Sequence, residues 1–175
     1  VQGKTASEAW SNAESQAKTL HKGGKVGETG WVYDTNVGTS WSAPAKGADG
    51  NYTTDIKTTS VDVTVTITVD TPKWEGYDKA TPEEQKKWDD SLTQLKDHEE
   101  GHVEIATAGG TPVGNAVLGA TATGSGKTPQ QSIEDAKKNL LSAQTVNYDK
   151  ARAEVQKQSD TYDQRTQHGK IPRDK

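Results

Sequence analysis

His98-Glu99-Glu100-Gly101-His102 sets two imidazoles four residues apart with a carboxylate between them, the H-E-x-x-H arrangement of zinc hydrolases. On a helix, positions i and i+4 lie one turn apart on one face, so His98 and His102 can chelate a single ion while Glu99 stands beside it. The chemistry this serves is metal-assisted hydrolysis: Glu99 takes a proton from an activated water and passes it to the leaving group. By chance the pattern arises in roughly one chain in two hundred of this composition. The surrounding elements therefore decide its meaning.

Those elements predict a helix. Thr81-Pro82-Glu83-Glu84 supplies a capping hydroxyl, a proline at the first helical position and acidic residues in the first turn. Apolar residues recur at Trp88, Leu92, Leu95, Ile105 and Ala106, so a motif helix over 81–108 has both histidines on its buried side. Burying two imidazoles and a carboxylate without a cation is costly, which favours metal binding over a pair of core histidines.

Other segments are legible to differing degrees. Residues 5–21 predict a helix with Trp10, Ala13, Ala17 and Leu20 on one stripe, Gly23-Gly24 as its stop, and His21 complementing the dipole in its last turn. Residues 26–59 read as short strands and turns, with Trp31, Tyr33 and Trp41 available to the core. Val61, Val63, Val65, Ile67 and Val69 alternate with Asp62, Thr64, Thr66 and Thr68, the pattern of a half-buried strand ended by Pro72-Lys73-Trp74. Residues 109–128 read as a flexible Gly/Thr-rich segment with an apolar patch at Val113, Val117 and Leu118: a continuation of the motif helix, loosened by glycines, followed by a loop. Its Gly124-Ser125-Gly126-Lys127-Thr128 run fails as a phosphate loop, because Thr121 occupies the first glycine position and no apolar strand precedes it. Thr128-Pro129 opens a long C-terminal helix whose stripe runs through Ile133, Ala136, Leu140, Gln144, Tyr148, Ala151, Val155 and Tyr162.

A catalytic zinc takes three protein ligands and keeps one position open, whereas structural sites are closed and usually thiolate-rich. This chain has no cysteine. Ile105 and Ala108 exclude the extended metzincin motif, and Glu104 is too near along the same helix to swing round. His168 is the preferred third ligand, with Asp163 or Thr166 to orient it, and Glu134 is the alternative. Tyr162 is the expected oxyanion donor. The strand Val61–Val69 can offer its edge to an extended peptide, although an ordinary half-buried strand has the same pattern.

Composition sets further bounds. Only 29% of the 175 residues are hydrophobic, with no Phe, Met or Cys, so the core is thin and a bound metal would help to hold it. A net charge of −4 with mixed signs provides no basic face for nucleic acid, and no apolar run approaches a membrane span. Absence of Cys leaves the compartment open, and a start at Val1 is consistent with a removed export signal or a trimmed chain. Asn51-Tyr52-Thr53 fits a glycosylation acceptor, relevant only in a eukaryotic secretory source.

Thr66-Ile67-Thr68-Val69 running into Pro72-Lys73-Trp74, then Trp88, Leu92, Leu95, the motif, and a terminal Tyr162-Asp163-x-x-Thr166-x-His168-Gly169 together resemble the predicted secreted zinc-dependent proteases of bacteria. The resemblance covers most of the chain, apart from the Gly/Thr-rich stretch around 107–129. It implies a zincin-like metallopeptidase, export to the medium or cell envelope, one zinc per chain on His98, His102 and His168, and Glu99 as catalytic base. The expected fold is α+β: a single zincin-like domain over 1–175, with a short antiparallel or mixed sheet, a motif helix and a long C-terminal helix. The expected function is zinc-dependent hydrolysis of protein or peptide substrates. The alternative is a non-catalytic zinc-stabilised binding or cell-surface domain.

Overall fold

A computed structural model of the chain describes residues 1–20 and 25–171, so the expectations for His21 and for a Gly23-Gly24 stop lie outside the described residues. The architecture is α+β. In chain order the elements are α1 (Ala6–Leu20), β1 (Glu28–Trp41), β2 (Ala45–Lys46), β3 (Tyr52–Asp70), a 3-10 turn (Tyr77–Lys79), α2 (Pro82–Leu118), β4 (Thr121–Gly126) and α3 (Pro129–Thr166). β3 is the hub of the sheet: β1, β2 and β4 all pair with it, the last two with antiparallel register. Where the sequence reads as one domain over 1–175, the chain divides into two compact units. The first comprises 1–31, 67–106 and 158–175, the second 32–66 and 107–157. Among the described residues no helix is long and apolar enough to cross a membrane.

The first unit is built on small-residue packing and indoles. Thr5 caps α1 by accepting the Glu8 amide at 3.2 Å, and the Glu8 carboxylate returns to the Lys4 amide at 2.8 Å. Ala6, Ala9, Ala13 and Ala17 form the buried stripe of this helix, so neighbours can approach its backbone closely. Trp74 and Trp88 are buried against Ala6 and Ala9, and Trp10 meets Trp88 edge-on at 5.4 Å. The predicted start of α2 holds: Pro82 opens the helix and Thr81 Oγ1 accepts the Glu84 amide at 3.3 Å. The Glu84 carboxylate accepts the Ala6 amide at 2.7 Å, which ties the beginnings of the two helices together.

In β3 the predicted alternation is present from Val61 through Val63 and Val65 to Ile67, half-buried between exposed polar residues, whereas Val69, expected on the same face, is exposed. The strand also extends upstream to Tyr52, and its buried phase changes at Thr59-Ser60: Thr54, Ile56 and Thr58 are buried on even positions, the valines on odd ones. The pairings with β2 and β4 fall on residues 52–57 of β3, upstream of the segment Val61–Val69. β1, with 14 residues, and β3, with 19, replace the short strands expected over 26–59, and Trp41 is 49% exposed rather than in the core.

In the second unit the expected continuation of the motif helix is present, and the loop expected after it is a strand. The motif helix runs on to Leu118 through Pro112, whose missing N–H removes one bond of the ladder. Its glycines mark close approach: a Cβ on Gly109 would lie 2.3 Å from the Tyr33 hydroxyl oxygen and 2.6 Å from Val155 Cγ2. Residues 121–126 form β4 against 52–57 of β3. There Gly124 lets the strand touch α3, since an added Cβ would sit 2.0 Å from the Ala136 nitrogen. The amides of Ser125 and Lys127 donate to the Asp135 carboxylate and the Gln131 side-chain oxygen at 2.9 Å each, so they address α3 and not a phosphate. Ile56, Ala120, Ala136 and Leu140 form the core beneath.

Gly124→Ala therefore forces an overpacked contact onto helix backbone, with an expected loss of about 1–3 kcal/mol in unfolding free energy by chemical denaturation. An unchanged midpoint would contradict the rigid-contact account of this glycine.

Candidate metal centre

The first unit brings α2 and α3 together around the motif. His98, Glu99 and His102 are 5%, 3% and 5% exposed. From α3, Ser159, Tyr162, Asp163 and Thr166 follow the i, i+3, i+4, i+7 spacing of one helical face, and all four are buried. Asp163 Oδ1 lies 3.2 Å from His98 Nε2 and 3.1 Å from His102 Nε2, and the two nitrogens are 3.3 Å apart. Two ligands on one zinc at roughly 2.0–2.1 Å and a tetrahedral angle are themselves about 3.3–3.4 Å apart. The three atoms thus have the spacing of three corners of a zinc coordination shell, and the cluster can hold a metal.

The outer nitrogens are also engaged. Ser159 Oγ is 2.8 Å from His102 Nδ1, and Thr166 Oγ1 is 3.3 Å from His98 Nδ1. Thr166 has one hydroxyl proton and donates it to the Tyr162 carbonyl at 2.8 Å, so the hydroxyl accepts from His98 Nδ1–H. A neutral His98 then aims the lone pair of Nε2 at the Asp163 carboxylate. Two acceptors at that distance repel unless a metal cation lies between them or the ring carries a second proton.

Lys25 donates to the other carboxylate oxygen, Oδ2, and leaves Oδ1 to the imidazoles. Burial raises the pKa of Asp163, but the contacts with His102, His98 and Lys25 outweigh it and hold the carboxyl well below the usual carboxylate range.

Tyr162 and His168, given roles by the sequence, take the following positions. Tyr162 is not placed as an oxyanion donor: its ring stacks on His98 at 5.1 Å and 13°, and its hydroxyl donates to the His98 carbonyl at 3.1 Å. It braces the motif from behind. Gly101 makes room for it, because a Cβ there would come within 2.3 Å of Tyr162 Cζ. The third member of the buried cluster is Asp163, while His168 stands at its rim with a side chain 59% exposed and Nδ1 3.3 Å from Asp163 Oδ1. His168 lies beyond the last helical residue, so its ring emerges at the surface. Gln167, His168 and Gly169 have φ of 50°, 56° and 82°, three successive left-handed residues. Gln94 Nε2 donates to the Gly169 carbonyl at 2.7 Å, and a Cβ on Gly169 would lie 3.1 Å from His98 Cβ. The turn is folded tightly onto the motif helix. Glu104 is exposed, and Glu134 is an exposed residue of the second unit that accepts from Gln130 at 2.9 Å.

Glu99 is held apart from the triangle. Its Oε2 accepts from Thr29 Oγ1 at 2.6 Å, and a Cβ on Gly27 would stand 2.8 Å from its Oε1. Glu99 and His98 line one cleft of about 420 Å³ with Lys25, Gly27 and His168. Lys25, Thr29 and Ser159 were not singled out from sequence; for Ser159 the signal was the buried-face spacing with Tyr162, Asp163 and Thr166.

A carboxylate whose folded pKa is depressed stabilises fully above its unfolded pKa, about 3.9, and loses that contribution as pH falls toward the folded value. Metal-free Asp163→Asn protein should therefore be less stable than wild type at neutral pH, with the gap narrowing below about pH 4. Denaturation at several pH values checks the sign, and a gap that widens in acid contradicts it.

Comparison with known proteins gives one result of broad reach. No curated protein and no solved structure matches the chain. A family model described as a bacterial protein of unknown function, DUF922, matches residues 1–169. With nearly the whole length matched, including the motif, the α3 ladder and the turn through Gly169, the chain belongs to the DUF922 family.

Proposed function

We propose that this protein is a zincin-like, zinc-dependent metallopeptidase with Glu99 as general base and then general acid. The observation that carries the reading is the 3.1–3.3 Å triangle of His98 Nε2, His102 Nε2 and Asp163 Oδ1 with a buried carboxylate, Glu99, next to it in the same cleft. Imidazole and carboxylate donors without thiolate suit a catalytic zinc with an open position. Zinc bound there would lower the pKa of water and polarise the scissile carbonyl.

The remaining roles belong to the chain's own residues. Ser159 and Thr166 hold the imidazole Nδ1 atoms, and Lys25 holds the distal oxygen of Asp163. Thr29 fixes the Glu99 carboxylate, which accepts a proton from the attacking water and delivers it to the amine as the C–N bond breaks. His168, at the rim with Nδ1 3.3 Å from Asp163 Oδ1, would contribute a further ligand or meet the substrate. Export rests on the resemblance to secreted proteases.

Metal analysis of metal-replete protein should return one zinc per chain. Glu99→Gln should keep that zinc and lose about 10²–10⁴-fold in hydrolysis of an unstructured protein substrate. Zinc retained with no hydrolysis in either form would instead establish a zinc-stabilised binding domain. Iron in place of zinc, or no metal, would overturn the proposal. Ser159→Ala should weaken zinc about 10–100-fold in competition with a chromophoric chelator, and an unchanged affinity would remove it from the site's support.

A further inference from the structure

Asp163 divides its two oxygens between unlike partners. Imidazole nitrogens gather at Oδ1: His98 Nε2 at 3.2 Å, His102 Nε2 at 3.1 Å and His168 Nδ1 at 3.3 Å. The Lys25 ammonium takes Oδ2. An ammonium that only neutralised a buried carboxylate could use either oxygen or straddle both, so neutralisation alone does not account for the division. Lys25 belongs to a short stretch, 25–29, that also seats Glu99. A Cβ on Gly27 would stand 2.8 Å from Glu99 Oε1 and 2.8 Å from Leu95 Cδ1, and Thr29 Oγ1 donates to Glu99 Oε2 at 2.6 Å. One segment thus fixes the distal oxygen of the aspartate and the carboxylate beside the triangle.

The number of oxygens an aspartate gives to zinc decides which positions remain. With two imidazoles and one carboxylate oxygen, a tetrahedral zinc keeps a fourth position for water. A carboxylate that grips with both oxygens fills that position or crowds it into a five-coordinate shell. An ammonium bonded to Oδ2 opposes the second grip, because a divalent cation on the same oxygen would face another cation across it.

Resting on the metallopeptidase reading above, we infer that Lys25 is a positioning residue that holds Asp163 to one-oxygen coordination and so keeps a zinc position open for water. It acts through Asp163, not on the substrate.

The test loads full-length wild type and Lys25→Met, which removes the charge, with zinc and separately with cobalt(II). Wild-type cobalt protein should show the intense visible absorption of a four-coordinate site, and Lys25→Met the weaker, shifted bands that follow when the second oxygen joins. Zinc-loaded Lys25→Met should lose about 10–100-fold in kcat on an unstructured protein substrate, with KM little changed. Because the chain has no cysteine, Lys25→Cys alkylated with bromoethylamine before metal loading returns an ammonium at the same reach, and should restore both spectrum and rate. A merely structural ion pair would cost stability and leave the cobalt spectrum as it is in wild type, which overturns the inference. Where Lys25→Met fails to fold or to hold metal, infrared difference spectra of zinc-loaded against metal-free wild type with isotope-labelled aspartate decide. Widely separated antisymmetric and symmetric carboxylate stretches sustain one-oxygen binding, and narrowly separated ones overturn it. A spectral change in Lys25→Met without hydrolysis by wild type sustains the role of Lys25 and overturns the peptidase reading. Hydrolysis by wild type with identical spectra does the reverse, and no metal bound by wild type overturns both.

Discussion

The convergence of Asp163 Oδ1 on two imidazole Nε2 atoms is the constraint on which the site depends. A buried carboxylate facing two imidazole nitrogens needs positive charge, which Lys25 supplies at one oxygen and which a cation between the other oxygen and the rings, or a second proton on a ring, would supply there. Each neighbour then has a defined task. Thr166 and Ser159 orient the rings, Tyr162 backs them, Gly101 admits Tyr162, and Gly169 lets the chain turn against His98. Glu99, bonded to Thr29, stands outside the triangle.

The readable parts of the sequence were those with strong local signals. The motif histidines, the Thr81-Pro82 start of α2 and the alternation from Val61 to Ile67 in β3 each depend on spacing within one element and appear where expected, whereas the buried stripe of α1 is Ala6, Ala9, Ala13 and Ala17 with Trp10 half-buried. By residue type alone His168 outranks Asp163 as a ligand, and only helical phase separates them. On α3, Asp163 shares a buried face with Ser159 and Thr166, whereas His168 lies past the helix end. Lys25 was unreadable, since its partner is 138 residues away and no periodicity links them. The upstream half of β3 was also obscured: its buried residues are largely threonines, and the phase change at Thr59-Ser60 interrupts the period of two.

Glycine was the most misleading residue type. In the stretch 109–126 its density suggested freedom, yet Gly109 and Gly124 mark places where another chain segment presses on backbone. A missing side chain has two physical meanings, and composition does not separate them. The partner that fills the space does: Tyr33 and Val155 at Gly109, and the Ala136 backbone at Gly124.

The three residues of the triangle are separated by long stretches of chain. His98 and His102 share one helix, but Asp163 comes 65 and 61 residues later, near the end of the chain described. A chain emerging from its N-terminus would expose both histidines well before the aspartate that completes their set. Closing so long a loop costs entropy that the centre's interactions must outweigh, so the triangle depends on the packing of α2 against α3 as much as on its own contacts.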